Sequence, residues 1–405
     1  MKEFVTVEEA RRLVLDAVPV MSAEPVMLAN ALGRTLMVSI QSRDTIPPFD
    51  NSAMDGYAVR AADVASVPVS LRVIETIAAG TVPQHEVQPG MCARIMTGAP
   101  VPEGADAIIP IEQTTALDDA SVQINATTVV GRHVRKAGED VQVGDELFQP
   151  GQVVTPPVIG MLATLGYPEI PVATSPHVAI IATGDELVDA SETPGPGQIR
   201  NSNGPALAAQ VAAAGGLPIG PLVARDNPDD IAAVVDEALA ADVLVFSGGV
   251  SVGQYDYVKQ VLDARGLELS FWRVKQRPGK PLAFGMMHGK PVFGLPGNPV
   301  SSAMCFEQYV RPALAKMLGR QTVQAPRYRA VLEATLPKVS HLHYFARGHA
   351  WYNEDGTLCV RDTGPQGSNL YASVVRANCI MHLPVGMEAP QAGTIVEIEW
   401  LAWDS

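Results

Sequence analysis

Three short stretches rich in glycine each follow an apolar segment of strand length. They are Thr183-Gly184-Asp185-Glu186 after HVAIIA, SGGVSVG at 247–253 after DVLVF, and LPGNP at 295–299 after PVFG. Glycine allows the backbone to approach a ligand closely, and free amides at the start of a helix attract anions. One such loop would be better explained as an ordinary turn, but three on one sheet predict a cradle for a phosphorylated or oxyanionic ligand.

Carboxylates recur at the same strand ends. Asp185 and Glu186 follow the first strand, Asp226 follows the second, and Asp256 lies just beyond SGGVSVG. Acids beside a phosphate repel it unless a hard cation intervenes, and Mg²⁺ is the usual one. The pattern therefore predicts a Mg²⁺ site. Helix capping better explains the two acids that open the helix predicted at 228–240, and it remains an alternative for Asp226.

A Pro-Gly turn separates the two cations Arg277 and Lys280. Because the turn directs both side chains to one side, it predicts a focused anion site, with a solvated hairpin tip as the alternative. A second basic segment, RHVRK, occupies residues 132–136. Pattern alone does not assign Asp50 and Asp55, since aspartate is also a turn former.

The composition limits the class of protein. The length of 405 residues suggests two to four domains, and a formal charge of −14 argues against general affinity for nucleic acid. No apolar run approaches the ~18–20 residues of a membrane span. The N-terminus lacks an apolar signal core, so a cytoplasmic protein is expected. The four cysteines lie far apart and are predicted to be buried thiols.

Two common nucleotide-binding classes are disfavoured. The chain has no G-x-x-x-x-G-K-[ST] segment, which argues against a P-loop NTPase. It also has no G-x-G-x-x-G after the first strand of the predicted parallel sheet, so a nicotinamide cofactor is not expected.

The N-terminal part of the chain predicts scaffold and β structure. Residues 6–17 form a predicted helix that opens with a Thr6/Glu9 capping box and that we interpret as peripheral. Short β-type runs broken by glycine and proline make residues 70–154 a small β-rich region.

The pattern changes at about residue 177. Continuous apolar strands then alternate with predicted helices, which indicates a parallel sheet covered on both faces. From about 327 onward, strands and turns predict a terminal all-β domain, with a hairpin at 353–356.

Eight motifs occur in the order typical of one family. They are PPFDNSAMDGYAVR, RIMTGAPVPEGADAII, RKAGEDV, ATGDEL, IRNSN, SGGVSVGQYDYVK, RPGKPLAFG and GLPGNPVSS. On these motifs the chain resembles the molybdopterin molybdenumtransferases of molybdenum cofactor synthesis, the bacterial MoeA type, over essentially its whole length. The resemblance implies an enzyme that inserts molybdate into adenylylated molybdopterin with hydrolysis of the adenylate and release of AMP, supported by Mg²⁺.

The resemblance also implies a fold, an elongated homodimer of four-domain subunits. A central, doubly wound, mostly parallel α/β domain of the molybdopterin-binding type is joined to a small β-rich domain, an extended N-terminal scaffold and a C-terminal β-barrel-like domain. The expected boundaries are 1–45 and 141–172 for the scaffold and dimerisation domain, 46–140 for the inserted β-rich domain, 173–322 for the α/β domain and 323–405 for the C-terminal domain.

Matching of motifs carries roles to individual residues. The functional acids and threonine of the family fall on Asp55, Thr97, Asp140, Glu186, Asp226 and Asp256, and the metal ligands among them are Glu186, Asp226 and Asp256. Asp55 would reach the site from the partner subunit. The pterin-binding residues would be Thr183, Gly184, Asp185, Asn201, Ser247, Gly248, Gly249, Ser251, Gly253, Lys280, Pro296, Gly297 and Asn298.

Molybdate binding is implied for a separate set of residues. These are Arg277, Lys280, Pro281, Arg347 and Ser368. Arg277 stands where many relatives carry lysine, which keeps the charge but presents a planar fork to an oxyanion.

Two other functions remain open from the sequence. The adenylyltransferase that makes the adenylylated pterin shares the α/β domain and its SGG loop, although the flanking domains disfavour it. A gephyrin-like scaffold that clusters receptors uses the same module, although the site acids are intact here. Expected partners are small-molecule substrates, the molybdopterin adenylyltransferase and apo-molybdoenzymes, but neither nucleic acid nor a membrane.

Overall fold

The computed structural model describes residues 1–249, 257–337 and 341–401. The chain divides into two compact units, each made of segments that are separate in the sequence. The first comprises Met1–Val38, Pro150–Gly160 and Pro168–Ser405, and the second comprises Ser39–Gln149 and Met161–Tyr167.

The secondary structure elements are numbered in chain order. The helices are α1 (Val7–Ala17), α2 (Pro156–Thr164), α3 (Asn203–Ala214), α4 (Pro228–Ala238), α5 (Tyr257–Ala264), α6 (Pro299–Cys305), α7 (Arg311–Met317) and α8 (Ala372–Val375), and a π-helical segment at Phe306–Val310 joins α6 to α7. The strands are β1 (Lys2–Val5), β2 (Ala23–Met27), β3 (Ile40–Gln41), β4 (Asn51–Ser52), β5 (Gly56–Val59), β6 (Val69–Ile77), β7 (Met91–Ile95), β8 (Ala107–Pro110), β9 (Thr114–Asp118), β10 (Ser121–Ile124), β11 (Val134–Arg135), β12 (Glu146–Phe148), β13 (Glu169–Ala173), β14 (His177–Thr183), β15 (Leu187–Val188), β16 (Ile199–Arg200), β17 (Leu217–Ala224), β18 (Val243–Ser247), β19 (Glu268–Val274), β20 (Gln276–Arg277), β21 (Ala283–Met287), β22 (Lys290–Leu295), β23 (Arg327–Leu332), β24 (His343–Tyr352), β25 (Leu358–Asp362), β26 (Cys379–Leu383) and β27 (Ile395–Trp400).

A seven-stranded sheet lies at the centre of the first unit. Its order is β1-β19-β21-β22-β18-β14-β17, and neighbouring strands are parallel except where β21 pairs antiparallel with β19 and β22. Strands β14, β18 and β22 are buried along most of their length, which explains their continuous apolar sequences. The prediction of a mostly parallel α/β domain is confirmed.

Helices cover both faces of this sheet. Successive residues of β14 alternate between two cores: Ile180 packs with Val211 of α3 and Leu314 of α7, whereas Ile181 packs with Val235 of α4 and Val261 of α5. Side chains of a strand point alternately to opposite faces, so a strand covered on both sides needs apolar residues at every position. The domain is therefore doubly wound, as predicted.

The helix predicted to be peripheral is part of the α/β core. Strand β1 is the parallel neighbour of β19, with Lys2 opposite Phe271. Helix α1 follows directly and buries Ala10 and Val14 against the sheet helices. The prediction was wrong because the partner of β1 lies far along the chain, so that no local pattern reveals the pairing.

The N-terminus of α1 offers a test of this packing. The amide of Glu9 donates to Oγ1 of Thr6 at 3.1 Å, as the capping motif predicts. Thr6→Ala should lower the free energy of unfolding by about 1 kcal/mol, because the first turn loses a side-chain acceptor. Urea denaturation measures the loss, and Thr6→Ser should retain most of the wild-type stability. An unchanged midpoint for Thr6→Ala would show that the cap contributes nothing.

The C-terminal strands close into a barrel. Strand β24 pairs with both β25 and β26, which closes the order β24-β25-β23-β27-β26. The interior holds apolar side chains such as Ala346, Val360 and Met381. The turn at 353–356 joins β24 to β25, so the predicted hairpin is confirmed.

The second unit is built on a six-stranded sheet. Its order is β8-β5-β7-β6-β10-β9, in which only β6 and β7 pair in parallel. Tyr57 and Val59 face one core, whereas Ala58 faces the other. Two further ribbons, β4–β11 and β3–β12, belong to this unit.

Two expectations from composition are answered by the fold. None of the helices in the described part of the chain is long and apolar enough to cross a membrane. The four cysteines are free, and Cys92, Cys305 and Cys379 are buried as predicted, whereas Cys359 is half-buried. Burial raises the pKa of both Cys92 and Cys379 to about 12, which favours the thiol over the reactive thiolate.

Candidate active site

Four strands of the seven-stranded sheet end at one edge. Strands β14, β17, β18 and β22 are parallel neighbours, so their carboxyl ends lie side by side. A cavity of about 690 Å³ opens there, a volume suited to a small ligand. The predicted ligand-binding residues that line it are Thr183, Glu186, Asn201, Asp226, Ser247, Gly248, Gly249, Pro281, Pro296, Gly297 and Asn298.

The strand-end loops touch one another. The amide of Gly248 donates to the carbonyl of Leu295 at 3.1 Å. A Cβ atom placed on Gly248, whose φ is +96°, would lie 3.0 Å from the carbonyl oxygen of Thr183. Glycine is therefore required at this position by both backbone conformation and space. The hydroxyl of Thr183 is buried at the cavity without a hydrogen-bond partner in the described structure, which suits a polar ligand.

Asn203, the first residue of α3, connects two of these loops. Its Nδ2 atom donates to Oγ of Ser247 at 2.8 Å and to the carbonyl of Gly297 at 2.8 Å. Asn201, two residues earlier, instead accepts with Oδ1 from the amide of Gly204 in the first turn of the helix at 2.9 Å. Sequence reasoning assigned Asn201 and missed Asn203, although both belong to the IRNSN motif that opens a helix at the sheet edge.

Three carboxylates lie close together at the edge. Oδ1 of Asp185 accepts from the amide of Asp226 at 3.1 Å. Partial burial, together with the negative charges of Asp185 and Glu186, raises the pKa of Asp226 above its usual value. Like charges held together in this way favour a bound cation or a shared proton.

The predicted metal ligands are placed only in part. Glu186 and Asp226 line the cavity, whereas Asp256 lies outside the described residues, as do Ser251 and Gly253. Within residues 1–249, 257–337 and 341–401, no group of three or more His, Cys, Asp or Glu side chains is arranged to hold a metal ion. Gly184 packs closely against the carboxylate of Glu186, so that a Cβ atom at position 184 would lie only 2.6 Å from it.

A buried guanidinium lies in the C-terminal barrel. Arg347 of β24 is fully buried, and it donates from Nε to Ser373 at 3.0 Å and from Nη2 to the carbonyl of Gly367 at 3.1 Å. Its Nη1 atom has no hydrogen-bond partner within the described chain. Burial, and to a smaller extent the charge of Arg277, lowers the pKa of Arg347. A buried cation with a free donor fits an anionic ligand.

The other predicted oxyanion ligands lie in the same unit. Arg277 stacks over the ring of Tyr344 at 5.2 Å, and Lys280 lies 4.9 Å from the ring centroid of Phe4. Ser368 is half-buried in the loop that contacts Arg347. Of the predicted molybdate set, only Pro281 lines the large cavity. The Pro-Gly turn thus extends from the cavity towards the barrel arginine.

Comparison with known proteins explains this combination of elements. The sequence matches the MoeA N-terminal region (domain I and II) over residues 5–166, a probable molybdopterin binding domain over 179–316 and the MoeA C-terminal region (domain IV) over 329–401. The chain belongs to the MoeA family of molybdopterin molybdenumtransferases.

Relatives align with this MoeA-family chain along almost their whole length. Molybdopterin molybdenumtransferase 2 of Mycobacterium tuberculosis is 38% identical over 409 residues, covering 98% of this chain and 99% of the relative. The molybdopterin molybdenumtransferase of Haemophilus influenzae is 36% identical, with 97% and 98% covered. The crystal structure of the molybdopterin biosynthesis MoeA protein from Pyrococcus horikoshii superposes with a TM-score of 0.84 at 30% identity, covering 98% of this chain and 100% of that chain.

The remaining predicted residues of this MoeA-family chain belong to the second unit. Oδ1 of Asp55 accepts from the amide of Thr97 at 2.7 Å and from its hydroxyl at 2.8 Å, and these bonds lower the pKa of Asp55. Asp140 is exposed. Lys136 of the basic segment pairs with Asp50 at 2.7 Å, so part of that charge is neutralised locally. The structure therefore brings Asp55 and Thr97 together, and their role stays a prediction.

The contacts of Asn203 lead to a testable expectation for this family member. Asn203→Asp preserves the shape of the side chain but replaces a donor by an acceptor that faces the Gly297 carbonyl. We expect kcat/KM for the molybdopterin substrate to fall about tenfold, because Oγ of Ser247 and the carbonyl of Gly297 lose their shared donor. Steady-state kinetics measure the change, with Asn125→Asp in the second unit as the matched control. Equal kinetics for the Asn203 and Asn125 variants would refute the role.

Proposed function

We propose that the protein inserts molybdate into adenylylated molybdopterin, with hydrolysis of the adenylate and release of AMP and molybdenum cofactor, in a Mg²⁺-dependent reaction. The observation that carries this proposal is the meeting of Thr183, the Ser247–Gly249 loop and the Pro296–Asn298 loop around one cavity beside a cluster of acids. Such an edge of a parallel sheet is where ligands of open α/β folds bind.

The strand-end loops would bind the pterin phosphates. Amides of the glycine loop and the unpartnered hydroxyl of Thr183 would supply donors at the cavity. Glu186 and Asp226, with Asp256, would hold Mg²⁺, which when bound offsets the negative charge of the phosphate oxygens. Partial burial and the charges of Asp185 and Glu186 raise the pKa of Asp226, and a bound cation would offset that cost.

The cationic residues would bind the molybdate substrate. Arg347 offers a buried Nη1 donor, and Arg277 lies close enough for its charge to lower the pKa of Arg347. Lys280 and Ser368 complete the proposed set. Fixed donors of this kind orient a tetrahedral oxyanion and compensate its charge without reorganisation.

The proposal includes the quaternary arrangement implied by the family. A cytoplasmic homodimer would allow Asp55 of one subunit to act in the site of the other. The Asp55 carboxylate is kept ionised by the Thr97 amide and hydroxyl, which suits a role towards a cation or a donor. Transient contacts with the molybdopterin adenylyltransferase and with apo-molybdoenzymes would allow direct transfer of an unstable cofactor.

One assay tests the reaction and separates it from its rivals. Purified protein is incubated with adenylylated molybdopterin and molybdate, with and without MgCl₂, while AMP release and reconstitution of an apo-molybdoenzyme are followed. We expect AMP and active molybdoenzyme only when all components are present. Consumption of ATP with molybdopterin would instead identify an adenylyltransferase. Absence of both reactions, with receptor binding retained, would favour a scaffold.

A further inference from the structure

Buried side chains contact the backbone of the loop that carries Arg277 and Lys280. We call residues 276–281 the anion loop. Its base is closed by a hydrogen bond from the amide of Val274 to the carbonyl of Lys280 at 3.0 Å. Arg277 and Lys280 themselves are exposed, and each has an aromatic ring, Tyr344 or Phe4, on one side. Their direction therefore depends strongly on the loop backbone.

The side chain of Gln276 links the backbone of the anion loop to the helix that packs behind it. Its side chain is buried, and Nε2 donates to the carbonyl of Gly279 at 3.0 Å and lies 3.4 Å from Sγ of Cys305. Oε1 accepts from the hydroxyl of Tyr309. The amide orientation follows from chemistry, because the Gly279 carbonyl only accepts and so must face the NH₂ group. The oxygen then faces Tyr309, whose hydroxyl must donate.

The helix that packs against the loop has an irregular turn at the residue that contacts Gln276. Tyr309 lies in the π-helical segment Phe306–Val310, where an extra residue rotates the following side chains relative to a regular α-helix. Tyr309 is buried, and burial raises its pKa well above the usual value, so that its hydroxyl remains a donor. Segments of this kind occur frequently at functional sites.

Gly279 fits tightly between these groups. Its φ is +85°, and a Cβ atom there would lie 2.3 Å from Sγ of Cys305 and 3.0 Å from Nε2 of Gln276. The loop backbone therefore lies directly on α6 and on the Gln276 amide. A change in either would move the two cations that flank Gly279.

We propose that Gln276 and Tyr309 are positioning residues that fix the anion loop, and with it the directions in which Arg277 and Lys280 meet the oxyanion. This inference rests on the proposed function of the same loop. The alternative is that the pair only fills the core. The two roles differ in their kinetic consequences, because a positioning pair affects one substrate selectively.

Tyr309→Phe is the primary test. The substitution keeps the ring but leaves Oε1 of Gln276 buried without a donor, so that the amide loses the contact on its oxygen side and holds the Gly279 carbonyl less firmly. We expect KM and Kd for molybdate to rise about tenfold, the usual consequence of one unsatisfied buried group. The kcat and the KM for adenylylated molybdopterin should stay within about twofold of wild type.

Gln276→Met provides an independent variant and a coupling measurement. Methionine has a similar volume but no amide, so molybdate affinity should again fall about tenfold. The double variant should bind molybdate no more weakly than Gln276→Met alone, because both changes break one network. Tyr352→Phe, which alters an exposed tyrosine of the barrel, is the matched control and should bind molybdate like wild type.

The measurements are calorimetric titration of the full chain with sodium molybdate, steady-state kinetics in both substrates and thermal melting. Molybdate affinity within twofold of wild type in a folded Tyr309→Phe protein overturns the inference, as does an equal rise in both KM values. If Tyr309→Phe does not fold, Gln276→Met decides by the same criteria. Failure of the wild-type protein to bind molybdate would instead remove the proposed function, and the inference with it.

Discussion

Asp226→Asn is expected to lower kcat/KM for the adenylylated pterin by roughly 100-fold, because the transition state loses one electrostatic contribution. The same substitution is expected to raise the melting temperature. The pKa of Asp226 is raised by partial burial and by the charges of Asp185 and Glu186. A carboxyl with a higher pKa in the folded than in the unfolded chain destabilises the fold above that pKa, and the stability returns as pH falls through it. Asparagine removes this cost.

The two effects have distinct signatures. The gain in melting temperature should be present at neutral pH and should vanish in acid, where the wild-type carboxyl is also neutral. Addition of MgCl₂ should raise the melting temperature of the wild type more than that of the variant, because a ligand stabilises the state that binds it. Asp229→Asn, in the first turn of α4, is the matched control and should retain activity. Full Mg²⁺-dependent activity in the Asp226 variant would contradict the proposed cation site.

Arg347→Met is expected to raise KM for molybdate by roughly 100-fold, since the charge-assisted contact from Nη1 is lost. The KM for the pterin substrate should change little, because Arg347 does not line the large cavity. The variant should still fold. Removal of a buried cation removes its desolvation cost, which stabilises the protein, whereas the carbonyl of Gly367 loses a donor, which destabilises it. The net change in unfolding free energy should therefore lie within about 1 kcal/mol.

Two further variants sharpen this test. Arg347→Lys keeps the charge but not the planar fork, so molybdate affinity should fall about tenfold. Arg361→Met alters an exposed arginine of the neighbouring strand β25 and should leave both KM values unchanged. Calorimetric titration with molybdate, with melting curves as a check on folding, measures these effects. Strong destabilisation of Arg347→Met with unaltered molybdate affinity would assign the arginine to the barrel core instead.

Sequence periodicity was sufficient for the central sheet and for its ligand-binding edge. Continuous apolar strands separated by amphipathic helices leave few arrangements other than a parallel sheet, and parallel strands place their carboxyl ends together. The sequence therefore predicts that the loops after β14, β18 and β22 meet at one edge, and the strand order agrees. The prediction of Thr6 as a helix cap succeeded for a similar reason, because a cap is a local interaction.

Features that depend on distant parts of the chain could not be predicted in this way. The pairing of β1 with β19 has no local signature, so α1 was wrongly placed at the periphery. Asn203 resembles any polar residue at a helix start until Ser247 and Gly297 are seen beside it. The unpartnered Nη1 of Arg347 likewise depends on the fold, because the segment with Gly367 and Ser373 that buries this arginine follows it in the chain.

The pairing of β1 also affects how the chain acquires its structure. Lys2 lies opposite Phe271, and the ring of Phe4 contacts Lys280 on the anion loop. During synthesis β1 is made long before its partner β19. This edge of the sheet therefore forms through a contact between residues that are far apart in the sequence, and such contacts form slowly. The cationic loop would consequently be among the last segments to become ordered, and a chain arrested before Phe271 would hold neither the strand pair nor an anion site.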